Sequence, residues 1–379
     1  MAYLPFPSNW PLFTPKDKIG DWFEAYASLM ELNVWMQTRI QSAEYNEATG
    51  DWVVQVERGG EPIRRLKPRH VIMCTGRIYL VLNDLATLAD FCSGHAGEPK
   101  IPSFPGQSEF KGTVYHGSQH QDASLSGDVT GKKVIVVGTG NSGHDIAQNF
   151  YENGADVTML QRRGTYVISA KTGLFMLHEG LYDEGGPPTE DADVYGQSLP
   201  IPVQFALNVG GTNRIAAADK ENLDGLTKAG FKIDFGDDGS GIYRKYVTRG
   251  GGYYIDVGAS QLIIDGKIKL QQSPDGIKCF EPDALVLADG TKIEADIVVL
   301  ATGYDNMVTS ARKILGDKVA DRCKEVWDLD EEGEINAMWR PSGHPHFWFM
   351  GGSLALCRIY SRFVALQIKA IEEGINKVQ

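Results

Sequence analysis

Cysteines are few in this sequence, and none of them are close together. No two of the five have the C-x-x-C spacing of dithiol redox sites and zinc knuckles, so we expect neither a redox dithiol nor a bound metal. An odd number of separated thiols is typical of a reducing compartment, which favours a cytoplasmic protein. The five are Cys74, Cys92, Cys279, Cys323 and Cys357.

Long apolar runs and an excess of positive charge are also lacking. No stretch reaches the roughly 18 apolar residues that cross a bilayer, and the first residues lack the basic-then-apolar order of a secretion signal. Lys and Arg number 37 against 49 Asp and Glu, a formal charge of −12 across 379 residues. We therefore expect no membrane span, and the charge disfavours nucleic acid or an anionic membrane as partner.

What the sequence does contain is one well-defined βαβ unit between residues 132 and 163. The β-branched run Lys133–Val137 predicts a buried parallel strand, a glycine-rich turn and a helix follow it, and Asp156–Leu160 predicts the next strand. The turn fits G-x-G-x-x-G, the dinucleotide-binding pattern, in which the pyrophosphate lies at the helix N-terminus. A glycine-rich turn without a ligand is the alternative.

Three glycines have separate tasks in that pattern. Gly138 makes the tight turn, Gly140 lets the backbone approach the pyrophosphate, and Gly143 lets helix and strand pack closely. Asn141 and Ser142 are further candidates for contact with nicotinamide or flavin, although such residues also occur for turn chemistry alone.

The end of the second strand indicates which dinucleotide binds. An NAD site usually has an acidic residue there for the ribose hydroxyls, whereas this strand continues into Arg162 and Arg163. Two guanidiniums at this place favour the 2′-phosphate of NADPH, which they hold through charge-assisted hydrogen bonds. A solvated basic strand end is the alternative.

Periodicity predicts further elements along the chain. Residues 164–258 have a weak pattern, predicting an irregular region with helices near 200–208 and 219–229. The other predicted helices are 16–32 and 355–373, and the other predicted strands are Trp35–Thr38, Trp52–Glu57, His70–Cys74 and Ala295–Ala301.

One segment upstream of the glycine turn has a distinctive pattern. Phe110–His116 fits F-x-G-x-x-x-H, and Pro99, Pro102 and Pro105-Gly106 before it resemble a P-x-x-P-x-x-G connection. Two buried strands end in Thr-Gly, at Thr75-Gly76 and at Thr302-Gly303. Together with the glycine turn, these motifs resemble the flavin-containing monooxygenase family, in its YUCCA-like and fungal or bacterial forms, and the resemblance covers most of the chain.

The resemblance implies an α/β fold of two doubly wound, Rossmann-like domains, with residues 1–130 and 290–379 forming the FAD domain and 131–289 the NADPH domain. It implies FAD and NADPH as cofactors, and O2 and a small soft nucleophile as substrates. The family oxygenates nitrogen or sulfur through a flavin C4a-hydroperoxide, and the cofactor supplies the difficult chemistry. No catalytic side chain is assigned.

The resemblance also gives expectations for three residues outside the glycine turn. The backbone at Thr302 and Gly303 is expected to pass close to a cofactor or to link the domains. His116 is expected to couple the domains structurally rather than to transfer protons.

The sequence departs from the family in three places. The family's first G-x-G-x-x-G, for the ADP half of FAD, has no counterpart before residue 132, so we expect an N-terminal truncation and no FAD bound to this chain alone. Residues 77–94 interrupt a connection that the family makes directly; a retained intron is favoured over a genuine inserted helix. Residues 119–121 are Gln-His-Gln, and the missing Trp-Pro disfavours Baeyer–Villiger chemistry.

Two alternatives remain for the function. A non-catalytic NADPH-binding remnant without flavin is favoured by the expected truncation, and the retained oxygenase motifs favour the enzyme. A disulfide reductase of similar fold is disfavoured because the cysteines are unpaired.

Deleting residues 77–94 should raise the soluble yield and the melting temperature. The segment carries a high apolar content with no partner in the expected core, and exposed apolar segments promote aggregation. Yield and thermal unfolding of the deletion variant and the parent give the comparison. Lower yield from the deletion variant would identify the segment as a genuine structural element.

Overall fold

The computed structural model describes residues 3–11, 13–74 and 96–377. The predicted insert 77–94 lies outside the described residues, as do Thr75, Gly76 and Cys92.

Fifteen strands are found among the described residues. In chain order they are β1 (Thr38–Asn46), β2 (Asp51–Arg58), β3 (Arg64–Leu66), β4 (Val71–Met73), β5 (Thr113–His116), β6 (Lys133–Val137), β7 (Asp156–Gln161), β8 (Tyr166–Ser169), β9 (Tyr253–Asp256), β10 (Lys269–Gln272), β11 (Ile277–Glu281), β12 (Ala284–Leu287), β13 (Lys292–Glu294), β14 (Ile297–Leu300) and β15 (Phe347–Phe349).

Eleven α-helices accompany them, and none of these helices is long and apolar enough to cross a membrane. They are α1 (Lys16–Leu29), α2 (Asn141–Glu152), α3 (Gly173–Leu177), α4 (Thr189–Gln197), α5 (Ile201–Ala218), α6 (Lys220–Lys228), α7 (Ile242–Arg249), α8 (Ala259–Ile264), α9 (Met307–Leu315), α10 (Asp317–Ala320) and α11 (Leu354–Glu372).

The chain divides into two compact units. The first comprises residues 1–98, 305–327 and 335–379, and the second comprises 99–304 and 328–334. The predicted NADPH domain, 131–289, lies within the second unit. That unit also includes β5 and β14, because both belong to the same sheet as β6.

A five-stranded parallel sheet in the order β10-β7-β6-β14-β5 forms the centre of the second unit. Its middle strands are buried on both faces, as their continuous apolar sequences require: Val136, Val157, Val298 and Val299 have almost no exposed surface. Helix α2 connects β6 to β7 in the expected βαβ arrangement, and Phe150 on its inner face is fully buried.

The first unit contains an antiparallel β1-β2-β3 sheet and a parallel pair, β4 and β15. Trp52 on β2 is fully buried and packs, with tilted rings, near His344 and Phe347. Its indole Nε1 donates to the backbone oxygen of His346 at 3.2 Å. This one side chain therefore connects the antiparallel sheet to the segment that leads into β15.

The local predictions are confirmed where the apolar pattern is strong. The strand Lys133–Val137 has the predicted bounds, and helices begin at Lys16 and Leu354, as expected. The strand predicted at Trp35–Thr38 is wrong: β1 begins only at Thr38. Residues 164–258 are also more regular than predicted, because helices α3 to α7 pack their apolar faces in this region although glycines weaken the pattern.

Candidate functional site

The glycine turn after β6 is shaped by two close backbone approaches. Gly138 has φ +121°, and a Cβ atom there would lie 2.4 Å from the backbone oxygen of Ala301. A Cβ atom on Gly143 would lie 2.2 Å from the oxygen of Gly138. Since no side chain fits at such distances, both glycines are required by the protein itself: one for the turn, the other for packing α2 against it.

Gly140 differs from the other two glycines. Its φ of −83° is accessible to any residue, and the nearest atom to a Cβ there would be the oxygen of Tyr253, 3.8 Å away. The folded protein therefore has no steric need for glycine at this position, and the space above Gly140 is open for a ligand.

Helix α2 begins directly after Gly140 and has no side-chain cap. The first N–H groups of a helix have no partner inside the helix, and its dipole attracts negative charge. Asn141 does not supply a cap, because its Oδ1 accepts from the backbone N–H of Ile255 at 2.9 Å and so links α2 to β9. Ser142 is exposed. This N-terminus has the properties of an anion site.

A buried histidine holds the turn from within the helix. The carbonyl of Gly140 accepts from the backbone N–H of His144 at 3.1 Å and from its Nδ1 at 3.0 Å. Burial lowers the pKa of His144 to about 4, so the imidazole is neutral at physiological pH. Its ring stacks on Tyr254, with centroids 3.7 Å apart and planes nearly parallel. The orientation of the Gly140 peptide is thus fixed by side chains that sequence analysis did not select.

A cleft of about 360 Å³ opens beside the turn. Of the predicted site residues, the cleft brings together Gly138, Gly140, Arg162, Arg163 and Thr302. The two arginines follow β7 and are exposed, and neither guanidinium has an ion-pair partner within the described ranges. Two unpaired cations therefore face the same space as the helix N-terminus.

His116 and Gly303, the other predicted pair, contact each other rather than the cleft. The Nδ1 of His116 accepts from the Ser118 N–H at 3.1 Å, so Nε2 carries the proton and donates to the oxygen of Gly303 at 3.1 Å. The same oxygen accepts from the Lys100 N–H at 2.9 Å, and Thr302 donates through Oγ1 to the Lys100 oxygen at 2.6 Å. His116 thus joins β5 to the turn that follows β14.

Several cleft residues were not identified from the sequence. They come from segments far apart in the chain and lack a local motif; they include Lys100, Phe104, Thr165, Gly252 and Ser273. Pro102, another cleft residue, belongs to the proline-rich segment noted in the sequence. Thr165 also holds the turn, because its Oγ1 lies 2.7 Å from the Oγ1 of Thr139.

The sequence of this chain matches those of known proteins. Residues 1–174 match the family model FMO-like, described as flavin-binding monooxygenase-like. The chain is 26% identical over 323 residues to indole-3-pyruvate monooxygenase YUCCA1 of Oryza sativa subsp. japonica, covering 84% of this chain and 66% of that protein. It is 27% identical over 314 residues to human flavin-containing monooxygenase 3, covering 79% and 49%. The chain thus spans less than two thirds of these relatives.

Solved structures share the fold. The polycyclic ketone monooxygenase of Thermothelomyces thermophila superposes with a TM-score of 0.53 at 17% identity, covering 94% of this chain and 64% of that one. OTEMO in complex with FAD and NADP gives 0.56 at 15% identity, covering 97% and 74%. The predicted α/β fold class is confirmed, as is the predicted resemblance to flavin-containing monooxygenases.

The two glycines at the start of α2 should respond differently to alanine. Gly143→Ala should lower the free energy of unfolding by about 1–3 kcal/mol, because the new methyl group meets the Gly138 carbonyl and overpacking has a cost of that order. Gly140→Ala is the matched control and should change it by less than about 0.5 kcal/mol. Urea unfolding measures both; equal losses would contradict the geometry described for the turn.

Proposed function

This chain is similar to flavin-containing monooxygenases, and on that premise we propose that it functions as an NADPH- and FAD-dependent monooxygenase. The substrate is a small soft nucleophile, which receives one oxygen atom of O2 on nitrogen or sulfur. We propose that the protein is located in the cytoplasm. Two of the similar proteins carry monooxygenase names, and one similar structure holds FAD and NADP.

The observation that carries this proposal is the meeting of three features in one cleft. Gly140 leaves the turn open, α2 presents its uncapped N-terminus, and Arg162 and Arg163 stand unpaired beside them. We assign the pyrophosphate to the turn and the helix N-terminus, and the 2′-phosphate to the arginines. The acceptor for an unphosphorylated ribose would be a carboxylate, and the β7 end has none at these two positions.

The remaining predicted residues have supporting tasks in this proposal. Asn141 fixes the start of α2 against β9, and His116 fixes the backbone of Gly303, next to the cleft residue Thr302. FAD, when bound, would supply the oxygen-activating chemistry, and the protein would supply orientation and exclusion of water. In this proposal NADPH is assigned to the second unit, which contains the cleft.

Arg162→Ala and Arg163→Ala should each weaken NADPH binding about 10- to 100-fold, because a hydrogen bond to a charged group contributes about 1.5–3 kcal/mol. NADH binding should barely change, since NADH has no 2′-phosphate. Fluorescence titration with both dinucleotides measures this, with Arg39→Ala as the matched control, because Arg39 is an exposed arginine on β1. Equal losses for NADPH and NADH would refute the assignment of the 2′-phosphate.

The oxygenation reaction is tested with the protein as its gene encodes it, including any coding sequence upstream of Met1. Thioanisole, FAD, NADPH and air should give a product heavier by one oxygen atom, and cyclohexanone should give none. Mass spectrometry of the product and oxygen uptake measure both. NADPH binding without flavin and without product would instead favour the non-catalytic alternative, and lactone formation would favour Baeyer–Villiger chemistry.

A further inference from the structure

Helix α5 carries apolar side chains on its exposed face as well as on its buried face. Ile201 and Phe205 are buried, whereas Val203 and Leu207 are 43% and 63% exposed. A helix at the protein surface normally has charged or polar side chains towards water. The other exposed positions on α5 are Pro202, Ala206, Gly210, Asn213, Arg214, Ala217 and Ala218.

Exposed apolar residues also precede α5 in the chain. Val194 and Tyr195, near the end of α4, are 66% and 76% exposed, and Leu199, just before α5, is 39% exposed. Contiguous exposed apolar groups mark contact surfaces in soluble proteins.

The two ends of the exposed face of α5 have opposite charge. Arg214, in the last turns, is exposed and has no ion-pair partner among the residues that the structure describes. The segment 330–334 lies at the other end, because Glu334 accepts the backbone N–H of Ile201 at 3.1 Å and a Cβ atom on Gly333 would lie 3.0 Å from Cγ of Pro202. Glu331 and Glu332 in this segment are exposed, likewise without an ion-pair partner in the described part of the chain.

We propose that two copies of this chain associate through this surface, the α5 face, with their α5 helices antiparallel about a two-fold axis. Antiparallel pairing brings Arg214 of each copy towards Glu331 and Glu332 of the other, and it opposes the helix dipoles. A two-fold contact uses the same surface twice, which requires the surface to be complementary to itself. One positive and one negative end, with apolar residues between, meet that requirement.

The spacing along the helix agrees with this arrangement. Val203 and Arg214 are about 16 Å apart along the axis at 1.5 Å per residue. An axis midway between them places Leu207 of one copy against Gly210 of the other, where the missing side chain leaves room. An anionic membrane is a poorer occupant, because the acidic segment and the net charge of −12 would repel it.

Leu207→Asp tests the apolar part of the contact. The chain itself should be a dimer at tens of micromolar by sedimentation velocity and light scattering, and Leu207→Asp should weaken association at least about 10-fold. Its NADPH titration, and its melting temperature at a dilution where the parent chain is also monomeric, should stay unchanged, which separates this proposal from the proposed function. Ile63→Asp, at a side chain 59% exposed in the first unit, is the matched control and should leave the dimer intact.

Charge reversal tests the orientation of the helices. Arg214→Glu should weaken association at least about 10-fold, and adding Glu331→Arg and Glu332→Arg to it should restore the dimer. A monomeric parent chain at these concentrations, or a dimer that survives Leu207→Asp, would overturn the proposal. So would binding of a monomer to phosphatidylcholine vesicles that Leu207→Asp abolishes, because the face would then be a lipid contact.

Discussion

The proposed dinucleotide site depends on how closely β6 and α2 approach each other at the glycine turn. The oxygen of Gly138 lies where any side chain at position 143 would have to stand, only 2.2 Å from the place of its Cβ. This contact lets α2 begin directly beyond the end of β6. The N-terminus of α2 and the end of β7 then border one cleft, because β6 and β7 are adjacent parallel strands and their carboxyl ends meet at the same edge of the sheet.

The electrostatics of the cleft contrast with those of the whole chain. A protein with a formal charge of −12 repels a dinucleotide phosphate at long range. The proposed binding therefore relies on short-range groups, namely the N–H groups of α2 and the guanidiniums of Arg162 and Arg163. Both arginines are without an ion-pair partner in the part of the chain that the structure describes, so no carboxylate there competes with a phosphate for them.

The buried polar groups around the turn have the complementary task of fixing the backbone. His144 is neutral and stacked on Tyr254, and it orients the carbonyl of Gly140. His116 does the same for Gly303 through a single defined tautomer. Histidine serves here as a neutral hydrogen-bonding group, which agrees with the proposed reaction, whose difficult chemistry would belong to a cofactor.

The sequence by itself determined the βαβ unit, its glycine turn, and Arg162 and Arg163 after its second strand. These are local features, since a buried parallel strand needs a continuous apolar run and the turn needs glycine at fixed spacings. The family resemblance rested on similar short motifs, such as Phe110–His116. Local patterns failed where glycines are frequent or apolar residues are exposed, as in residues 164–258 and on the outer face of α5.

Only the tertiary structure decided which predicted residues share a surface. It separated Gly140, which the folded chain does not need as glycine, from Gly138 and Gly143, which it does. It placed Arg162 and Arg163 in the cleft with Lys100, Phe104 and Ser273, which are distant in the chain. It turned His116 and Asn141 towards backbone partners rather than the cleft. The physical reason is that a cleft forms where strand ends and loops converge in space, and the spacing of residues along one segment carries no information about that convergence.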